Sequence, residues 1–319
     1  PSSQSPIPML PLLLTLCLTA MASPAADSTD TLPNYPDDVE TVTVDGRDLA
    51  VVDRGEGAPL VFVHGLGSNL SLWREALDAF DDTHRVVALD LPGFGLSDKE
   101  DVPGTMSFYA DAVAGTMEAL GIDDATVVGV SMGGQVALTL ALEQPERLRD
   151  LVLVSPAGIE TFTEQEAQTM KNMTTAEGIA NTPDEQVRKN VAANFASWSD
   201  EHAWLIEQRD SLRQRDDFMD YARANAASVS GMLDAPVRDR LEEIETRTLV
   251  LFGAGDKLIP NPFLHPNQTT ASVAEEAREA LPNATVDLVD DAGHLLMLEQ
   301  PEVFHENLRN WLNGGEAGR

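Results

Sequence analysis

Short apolar runs recur along this chain and constrain its fold more than any other feature. Residues 60–63 read Leu-Val-Phe-Val, and residues 151–154 read Leu-Val-Leu-Val. Runs of this length are too short for buried helices, and they suit strands that are covered on both faces of a mostly parallel sheet. Because helical stretches alternate with these runs, the sequence predicts an α/β architecture.

The alternation defines a core and an inserted segment. We predict eight strands, over residues 41–44, 49–53, 60–64, 85–90, 126–130, 151–154, 248–252 and 286–289. Flanking helices are predicted over residues 72–80, 108–120, 132–143, 273–281 and 303–312. Residues 160–245 contain no strand-like run and are typical of several helices, including a long one over 199–227. We therefore expect a core of residues 39–159 and 246–313 and a helical cap (lid) of residues 160–245, inserted after the sixth strand.

A glycine-flanked serine follows the fifth predicted strand directly. The segment reads Gly129-Val130-Ser131-Met132-Gly133 and leads into a helix that is rich in Ala and Leu. This is the G-x-S-x-G pattern, in which a sharp strand-to-helix turn leaves a serine hydroxyl exposed. The N-terminus of the helix that follows favours developing negative charge. Ser131 is therefore predicted to be a catalytic nucleophile.

A histidine and a carboxylate complete a candidate triad, because a serine hydroxyl is a weak nucleophile without a base. His294 lies in a loop after the last predicted strand, where the base of such a site is expected. The supporting acid is expected between serine and histidine in chain order. Asp256 follows the strand over residues 248–252 and is placed at its carboxyl end, so it is our first candidate. Asp290 and Asp291 stay open as alternatives, although they lie too close to His294 in sequence to orient its ring well.

Two backbone N–H groups are expected to bind an oxyanion near Ser131. Residues 64–67 read His-Gly-Leu-Gly after the third predicted strand, and the glycines let the N–H of Leu66 face the site. The N–H of Met132, the residue after the nucleophile, is the second predicted donor. Each such donor stabilises the transition state by about 3 kcal/mol.

Candidate substrate contacts come from the same glycine-rich loop and from the cap. His64 and Gly65 are placed near the substrate, and the other interpretation of His64 is that it braces the loop by hydrogen bonds. In the cap, Phe195 and Trp198 are candidate contacts, with packing between cap helices as the alternative. No cluster with the spacing of metal ligands is visible in the sequence, so we expect neither a metal ion nor a cofactor.

Several motifs together resemble the α/β-hydrolase superfamily over about residues 39–312. They are His64-Gly65-Leu66-Gly67, Asp-Leu-Pro-Gly-Phe-Gly-Leu-Ser-Asp at residues 90–98, the glycine-flanked Ser131, Gly253-Ala254-Gly255-Asp256 and Gly293-His294. The resemblance implies an α/β-hydrolase fold with a mostly parallel eight-stranded sheet. Residues 131–137 and 153–158 are similar to the monoacylglycerol-lipase and carboxylesterase branch. That similarity implies hydrolysis of a small-molecule ester of the medium-chain or monoacylglycerol type.

Other activities stay open on this framework. The loop over residues 90–98 is also similar to carbon–carbon bond hydrolases of the meta-cleavage type. Cofactor-free haloperoxidase or acyltransferase activity is a further alternative. A non-catalytic binding member is less favoured, because all three triad residues are present. Residues 260–272 depart from the family pattern and leave the geometry of the Asp256 loop undetermined by sequence.

The charge balance excludes some partners. The chain has 53 acidic and 21 basic residues and a formal net charge of −32. Such a surface repels nucleic acid and anionic membranes, so we expect neither as a partner. Acidic residues spread along the chain fit adaptation to high salt, in which ions screen the self-repulsion. The alternative is a protein that is acidic without such adaptation.

The N-terminal residues predict export. Residues 9–21 form an apolar run that is too short to span a bilayer and suits the centre of a signal peptide. We therefore expect a signal peptide over residues 1–22, a polar linker over 23–38, and a secreted, periplasmic or cell-envelope protein with no stable membrane span once processed. No Lys or Arg precedes Arg47, so a cytoplasmic location is the alternative. Cys17, the only cysteine, is a weaker candidate for a lipid anchor. The sequence does not indicate an oligomeric state.

Overall fold

One sheet of eight strands forms the centre of the protein in a computed structural model that describes residues 32–314. The strands are β1 (Glu40–Val44), β2 (Arg47–Arg54), β3 (Pro59–Val63), β4 (Arg85–Leu89), β5 (Ala125–Val130), β6 (Leu148–Val154), β7 (Thr248–Gly253) and β8 (Ala284–Val289). Their order across the sheet is β1-β2-β4-β3-β5-β6-β7-β8. Strand β2 is antiparallel to β1 and β4, and the other neighbouring strands are parallel. The predicted mostly parallel eight-stranded sheet is confirmed.

The central strands are buried along their length. Every residue of β5 and β7 is buried, and the apolar runs at residues 60–63 and 151–154 are fully inaccessible to solvent. Each large apolar side chain removed from water in this way contributes about 1.5–3 kcal/mol to folding. Because β3, β5, β7 and β8 run parallel, the loops that follow them meet at one edge of the sheet. The predicted site residues lie on these loops, at the start of the helix that follows β5, or on the cap.

Helices flank the sheet and also make up the segment that is predicted to be a cap. They are α1 (Arg74–Phe80), α2 (Met106–Ala119), α3 (Met132–Glu143), α4 (Glu164–Met173), α5 (Ala176–Ala180), α6 (Asp184–Ala192), α7 (Trp204–Leu212), α8 (Phe218–Asp234), α9 (Thr270–Ala280), α10 (Leu296–Glu299) and α11 (Pro301–Leu312). Helix α3 packs against β5 and β6, and α9 packs against β7 and β8. Within residues 32–314, none of the helices combines the length and the apolarity that crossing a bilayer requires.

Helices α4 to α8 lie between β6 and β7, in the segment for which a cap was predicted. The single helix predicted over residues 199–227 is wrong, because α7 and α8 are separate helices joined by a turn. In that turn, Arg215 donates a hydrogen bond to Asp217, and Asp217 also forms an ion pair of 3.0 Å with buried Lys99 of the core. The break in the helix therefore anchors the cap to the core.

The chain between residues 32 and 38 packs against the rest of the protein and is not a linker. Leu32 and Tyr35 are buried, and the Tyr35 hydroxyl donates a hydrogen bond to fully buried Asp90. The carbonyl of Pro33 accepts a hydrogen bond from Gln208 of α7. The predicted linker over residues 23–38 is thus corrected at its C-terminal end, where apolar burial and hydrogen bonds fix the chain. Residues 1–31, which include the predicted signal peptide, lie outside the described residues.

Candidate active site

Ser131 lies at the sharp turn between β5 and α3. Its φ of 55° and ψ of −119° fall in a region that residues other than glycine rarely adopt, at a cost of about 1–3 kcal/mol. Close packing requires the flanking glycines. A Cβ on Gly129 would stand 2.3 Å from the carbonyl oxygen of Gly133, and a Cβ on Gly133 would stand 2.4 Å from that of Val63. The turn is held in part by the Ser131 N–H, which donates to the Val154 carbonyl at 3.0 Å.

His294 and Asp256 form a buried pair beside the same cavities. His294 Nδ1 lies 2.8 Å from Asp256 Oδ2, and the Asp256 side chain is wholly buried. Asp256 Oδ1 accepts the N–H groups of Leu258 at 2.8 Å and Ile259 at 3.1 Å. Burial raises the pKa of Asp256, but the charge and hydrogen bond of His294 and the two N–H groups outweigh burial and leave the pKa below its usual value. The ionised carboxylate therefore holds the proton on Nδ1 and leaves Nε2 as the basic atom.

The two alternative acids lie at the surface. Asp290 and Asp291 are both exposed, and the Asp291 carbonyl accepts a hydrogen bond from Gln300 at 3.1 Å. Among residues 32–314, the carboxylate that bonds to His294 belongs to Asp256. The structure therefore brings Asp256 to the histidine and does not bring these two carboxylates there.

A further carboxylate, which sequence reasoning did not single out, holds the His294 loop. Glu299 Oε2 accepts the N–H of Gly293 at 2.7 Å and that of Ala196 at 2.9 Å, while Oε1 accepts the N–H of Ser197 at 2.7 Å. Glu299 thus ties the loop that carries His294 to a segment of the cap. No local pattern in the sequence indicates this role, because its hydrogen-bond partners in the cap lie about a hundred residues away along the chain.

His64 is buried behind the glycine-rich loop. Its Nε2 accepts the Leu91 N–H at 3.0 Å, so Nδ1 carries the proton and donates it to the Gly65 carbonyl at 2.8 Å. Burial lowers the pKa of His64 to about 4, which keeps the ring neutral. The prediction that His64 contacts the substrate is therefore corrected, because the ring is fully buried and braces the loop instead. Gly65 lines a small cavity of about 90 Å³ together with Ser131.

Cavities of different character meet at Ser131, and Leu66 and His294 also line each of them. One of about 300 Å³, which we call the apolar cavity, is lined mainly by Met170, Val229, Met232, Leu233, Leu258 and Ile259. A larger one of about 740 Å³, which we call the basic cavity, includes Lys189, Asn190, Asn194, Arg209, Arg213 and Lys257. The site can therefore receive an apolar group on one side and a polar or anionic group on the other.

The two predicted cap contacts lie elsewhere. Phe195 is fully buried and stacks on His202 with ring centres 4.3 Å apart. Trp198 packs edge-on against Phe195 at 5.5 Å and donates a hydrogen bond to Asp200 at 3.3 Å. Neither aromatic residue lines the cavities that meet at Ser131. The structure places them in the packing of the cap, which was the alternative interpretation.

The two predicted oxyanion donors flank the serine. Met132 is the first residue of α3, so its N–H has no acceptor within the helix. Leu66 lines the cavities from the opposite loop. Within the described part of the chain, no protein group hydrogen-bonds to the Ser131 hydroxyl; such contacts are often longer in a free enzyme and shorten with substrate. Residues 32–314 also contain no group of three or more His, Cys, Asp or Glu side chains that could hold a metal ion.

Comparison with known proteins agrees with this geometry. A model of the alpha/beta hydrolase fold matches residues 58–301. The chain is 32% identical over 283 residues to the dihydrolipoyllysine-residue acetyltransferase component of the acetoin cleaving system of Cupriavidus necator. This alignment covers 85% of this chain and 68% of that protein. It is 30% identical over 271 residues to the 2-hydroxy-6-oxononadienedioate/2-hydroxy-6-oxononatrienedioate hydrolase of Paraburkholderia phymatum, over 82% of this chain and 89% of that one. A solved thermophilic esterase from Thermogutta terrifontis superposes with a TM-score of 0.70 at 26% identity, over 88% of this chain and 99% of that one. The chain belongs to the α/β-hydrolase family.

Proposed function

We propose that this protein is a serine hydrolase that cleaves carboxylic esters through an acyl-enzyme. One observation carries the proposal: Ser131, Leu66 and His294 meet on the same cavities, while a buried carboxylate is bonded to the far side of His294. A nucleophile, a base and oxyanion donors in one place are the parts that acyl transfer requires. The similarity to the T. terrifontis esterase supports the same reaction.

Each residue has a defined role in the proposed reaction. His294 Nε2 accepts the proton of the Ser131 hydroxyl as its oxygen attacks the ester carbonyl, and Asp256 stabilises the imidazolium that forms. The oxyanion accepts hydrogen bonds from the N–H groups of Leu66 and Met132, each of which contributes about 3 kcal/mol. His294 then protonates the leaving alcohol and activates the water that releases the acid.

The apolar cavity supports an acyl chain of medium length. Its volume of about 300 Å³ lies directly beside Ser131, and its walls come from the cap and the Asp256 loop. Burial of each methylene contributes up to about 0.8 kcal/mol, which corresponds to roughly four-fold in kcat/KM. We therefore expect kcat/KM to rise with acyl-chain length until the cavity is filled.

A panel of p-nitrophenyl esters from acetate to laurate tests this proposal. We expect kcat/KM to rise to a maximum at medium length and then to fall, and Ser131→Ala to abolish turnover while the circular dichroism spectrum is kept. Met232→Phe narrows the apolar cavity and should move the maximum to shorter chains. A flat response to chain length would contradict the apolar cavity as the acyl site, and an active Ser131→Ala variant would contradict ester hydrolysis by this site.

A second candidate is hydrolysis of a carbon–carbon bond in a substrate that carries a carboxylate, and Arg209 favours it. Its guanidinium lines the basic cavity with Ser131 and donates hydrogen bonds to the Gly67 carbonyl and the Tyr221 hydroxyl. Among the described residues, it has no carboxylate partner, although the chain has 53 acidic residues against 21 basic ones. An arginine that lines the same cavity as the nucleophile and has no carboxylate partner among the described residues supports an anionic substrate group. The P. phymatum relative is named as the hydrolase of a dienedioate.

Substitution of Arg209 separates the two candidates. With a 2-hydroxy-6-oxo-dienoate as substrate, Arg209→Met should raise KM roughly 10- to 100-fold, because a charged hydrogen-bonding partner is lost. Turnover of p-nitrophenyl butyrate, which is neutral, should change by less than about three-fold. Arg213→Met is the matched control, since Arg213 lines the same cavity but already pairs with Asp184 at 2.6 Å. Failure of the unmodified protein to cleave the dienoate would remove the second candidate.

Other features of the sequence stay predictions. Acyltransferase activity and cofactor-free haloperoxidase activity rest on the family resemblance, and the C. necator relative is named as an acetyltransferase component. Secretion or attachment to the cell envelope rests on residues 1–22, outside the described residues. Adaptation to high salt rests on the net charge of −32.

A further inference from the structure

Glu160 is a buried carboxylate near the triad that the proposed reaction leaves unused. Its side chain is 6% exposed, and it lines the apolar cavity together with Ser131 and His294. Its Oε1 accepts the Asn261 N–H at 2.7 Å and bonds to Nδ1 of His265. A carboxylate buried in this way costs free energy unless hydrogen bonds satisfy it. Both partners, Asn261 and His265, lie in one loop, residues 257–265. Their hydrogen bonds to Glu160 therefore fix the position of that loop.

The same loop carries the donors that orient Asp256. The N–H groups of Leu258 and Ile259 bond to Asp256 Oδ1, while Oδ2 faces His294. Asn261, which Glu160 holds, is only two residues beyond Ile259. The chain has little freedom over so short a distance, so the position of the Asn261 N–H constrains the position of the Ile259 N–H.

Glu160 is a buried attachment point for a loop whose tip is free. Asn261 Oδ1 accepts the N–H groups of Phe263 and Leu264, so these bonds hold the tip only to itself. Phe263, at the tip, is 90% exposed and provides no packing. The Thr270 hydroxyl donates to the Ile259 carbonyl at 3.1 Å, and at the start of the loop Lys257 Nζ donates to the carbonyls of Phe195 at 2.9 Å and Ala196 at 3.0 Å.

We propose that Glu160 is a positioning residue, which fixes the turn at residues 257–261 by accepting the Asn261 N–H and thereby holds Asp256 in register with His294. Glu160 acts through this turn and need not touch the reacting atoms. The inference rests on the proposed triad of Ser131, Asp256 and His294. Displacement of such a group by about 1 Å costs roughly 100-fold in rate, so the loss of the attachment should be visible in kcat.

The proposal is tested first by two substitutions that change either the length of the Glu160 side chain or its charge, but not both. Glu160→Gln keeps an oxygen acceptor at the same reach and removes the charge, whereas Glu160→Asp keeps the charge and withdraws the acceptor by one methylene. With p-nitrophenyl acetate, which leaves the apolar cavity largely empty, we expect Glu160→Gln to keep kcat within about three-fold and Glu160→Asp to lose about 10- to 100-fold, with little change in KM. Glu160→Asn, short and neutral, should lose as much as Glu160→Asp and provides a second short variant if the aspartate fails to fold. Glu164→Asp, on the exposed start of α4, is the matched control.

Proton NMR spectroscopy measures the contact between Asp256 and His294 without the need for turnover. The proton on His294 Nδ1 that is shared with Asp256 gives a downfield proton resonance, which should stay in Glu160→Gln and broaden or shift in the two short variants. If Ser131→Ala kept its activity, the proposed function would fail, but this resonance would still report whether Glu160 positions Asp256. An unchanged resonance with unchanged kcat in the short variants would overturn the inference. A loss in Glu160→Gln as large as that in Glu160→Asp, or larger, would also overturn it, because the charge of Glu160 would then be required and an oxygen acceptor at the same position would not be enough.

Discussion

Replacing His64 by Gln should remove a pH dependence of stability that comes from burial of this one ring. Burial lowers the pKa of His64 from 6.5 to about 4 in the folded protein. Between these values the unfolded chain binds a proton that the folded protein does not bind. The stability due to His64 is therefore present above pH 6.5 and is lost as the pH falls toward 4.

The size of this effect follows from the two pKa values. Proton linkage gives a loss of about 2 kcal/mol between pH 7 and pH 5, rising to about 3 kcal/mol at pH 4. Asp90, which lies in the same buried region, contributes to the pH dependence of stability with the opposite sign. Burial raises its pKa to about 6, so the folded protein holds this proton more tightly and stability falls as the pH rises from about 4 to about 6. Asp90 is present in both proteins, so its contribution cancels when they are compared.

Urea unfolding followed by circular dichroism at pH 7, 6 and 5 measures this difference. We expect the free-energy gap between the unmodified protein and His64→Gln to shrink by about 2 kcal/mol from pH 7 to pH 5. Asp90→Asn should change the pH slope in the opposite direction. Parallel pH profiles for the unmodified protein and His64→Gln would refute a buried, neutral His64.

Three further predictions concern the fold and its charge. Tyr35→Phe should lower the free energy of unfolding by about 1–3 kcal/mol, because it removes a donor to buried Asp90 and keeps the ring; urea unfolding measures the loss. Gly133→Ala should abolish esterase activity and cost about 1–3 kcal/mol, because the new Cβ would stand 2.4 Å from the Val63 carbonyl oxygen, and a stable, active variant would contradict the packing at the elbow. Raising salt from dilute buffer to the molar range should raise the Tm, because ions screen a net charge of −32. A Tm that falls with salt would reject adaptation to high salt.

The parts of the fold and the site that local sequence predicts are those encoded within a few residues. The apolar runs predict buried strands because strand burial depends on consecutive side chains. The serine turn is predictable because Gly129 and Gly133 are needed within two residues of Ser131. His294 and Asp256 follow from the order of strands along the chain, since parallel strands bring their following loops to one edge.

The parts that sequence did not predict depend on contacts between distant residues. Glu160 and Asn261 are 101 residues apart, and nothing near either residue in sequence indicates the other. Arg209 sits in a cap helix with no motif around it, and its position at the cavity follows from how the cap docks. The polar segment before residue 39 reads as a linker, yet Tyr35 is fixed by a buried carboxylate 55 residues away. The motif around His64 predicts a position near the substrate, although burial behind the loop decides its role.

Identification of the residue that reacts with a p-nitrophenyl phosphonate tests most directly whether Ser131 is the nucleophile. We expect one adduct per chain by intact mass, located on Ser131 by peptide mapping, with loss of ester hydrolysis in proportion to labelling. Ser131→Ala should give no adduct, and Asp256→Asn should label much more slowly because His294 then lacks its ionised partner. Labelling at another residue, or full ester hydrolysis by a protein labelled at Ser131, would contradict the proposed mechanism.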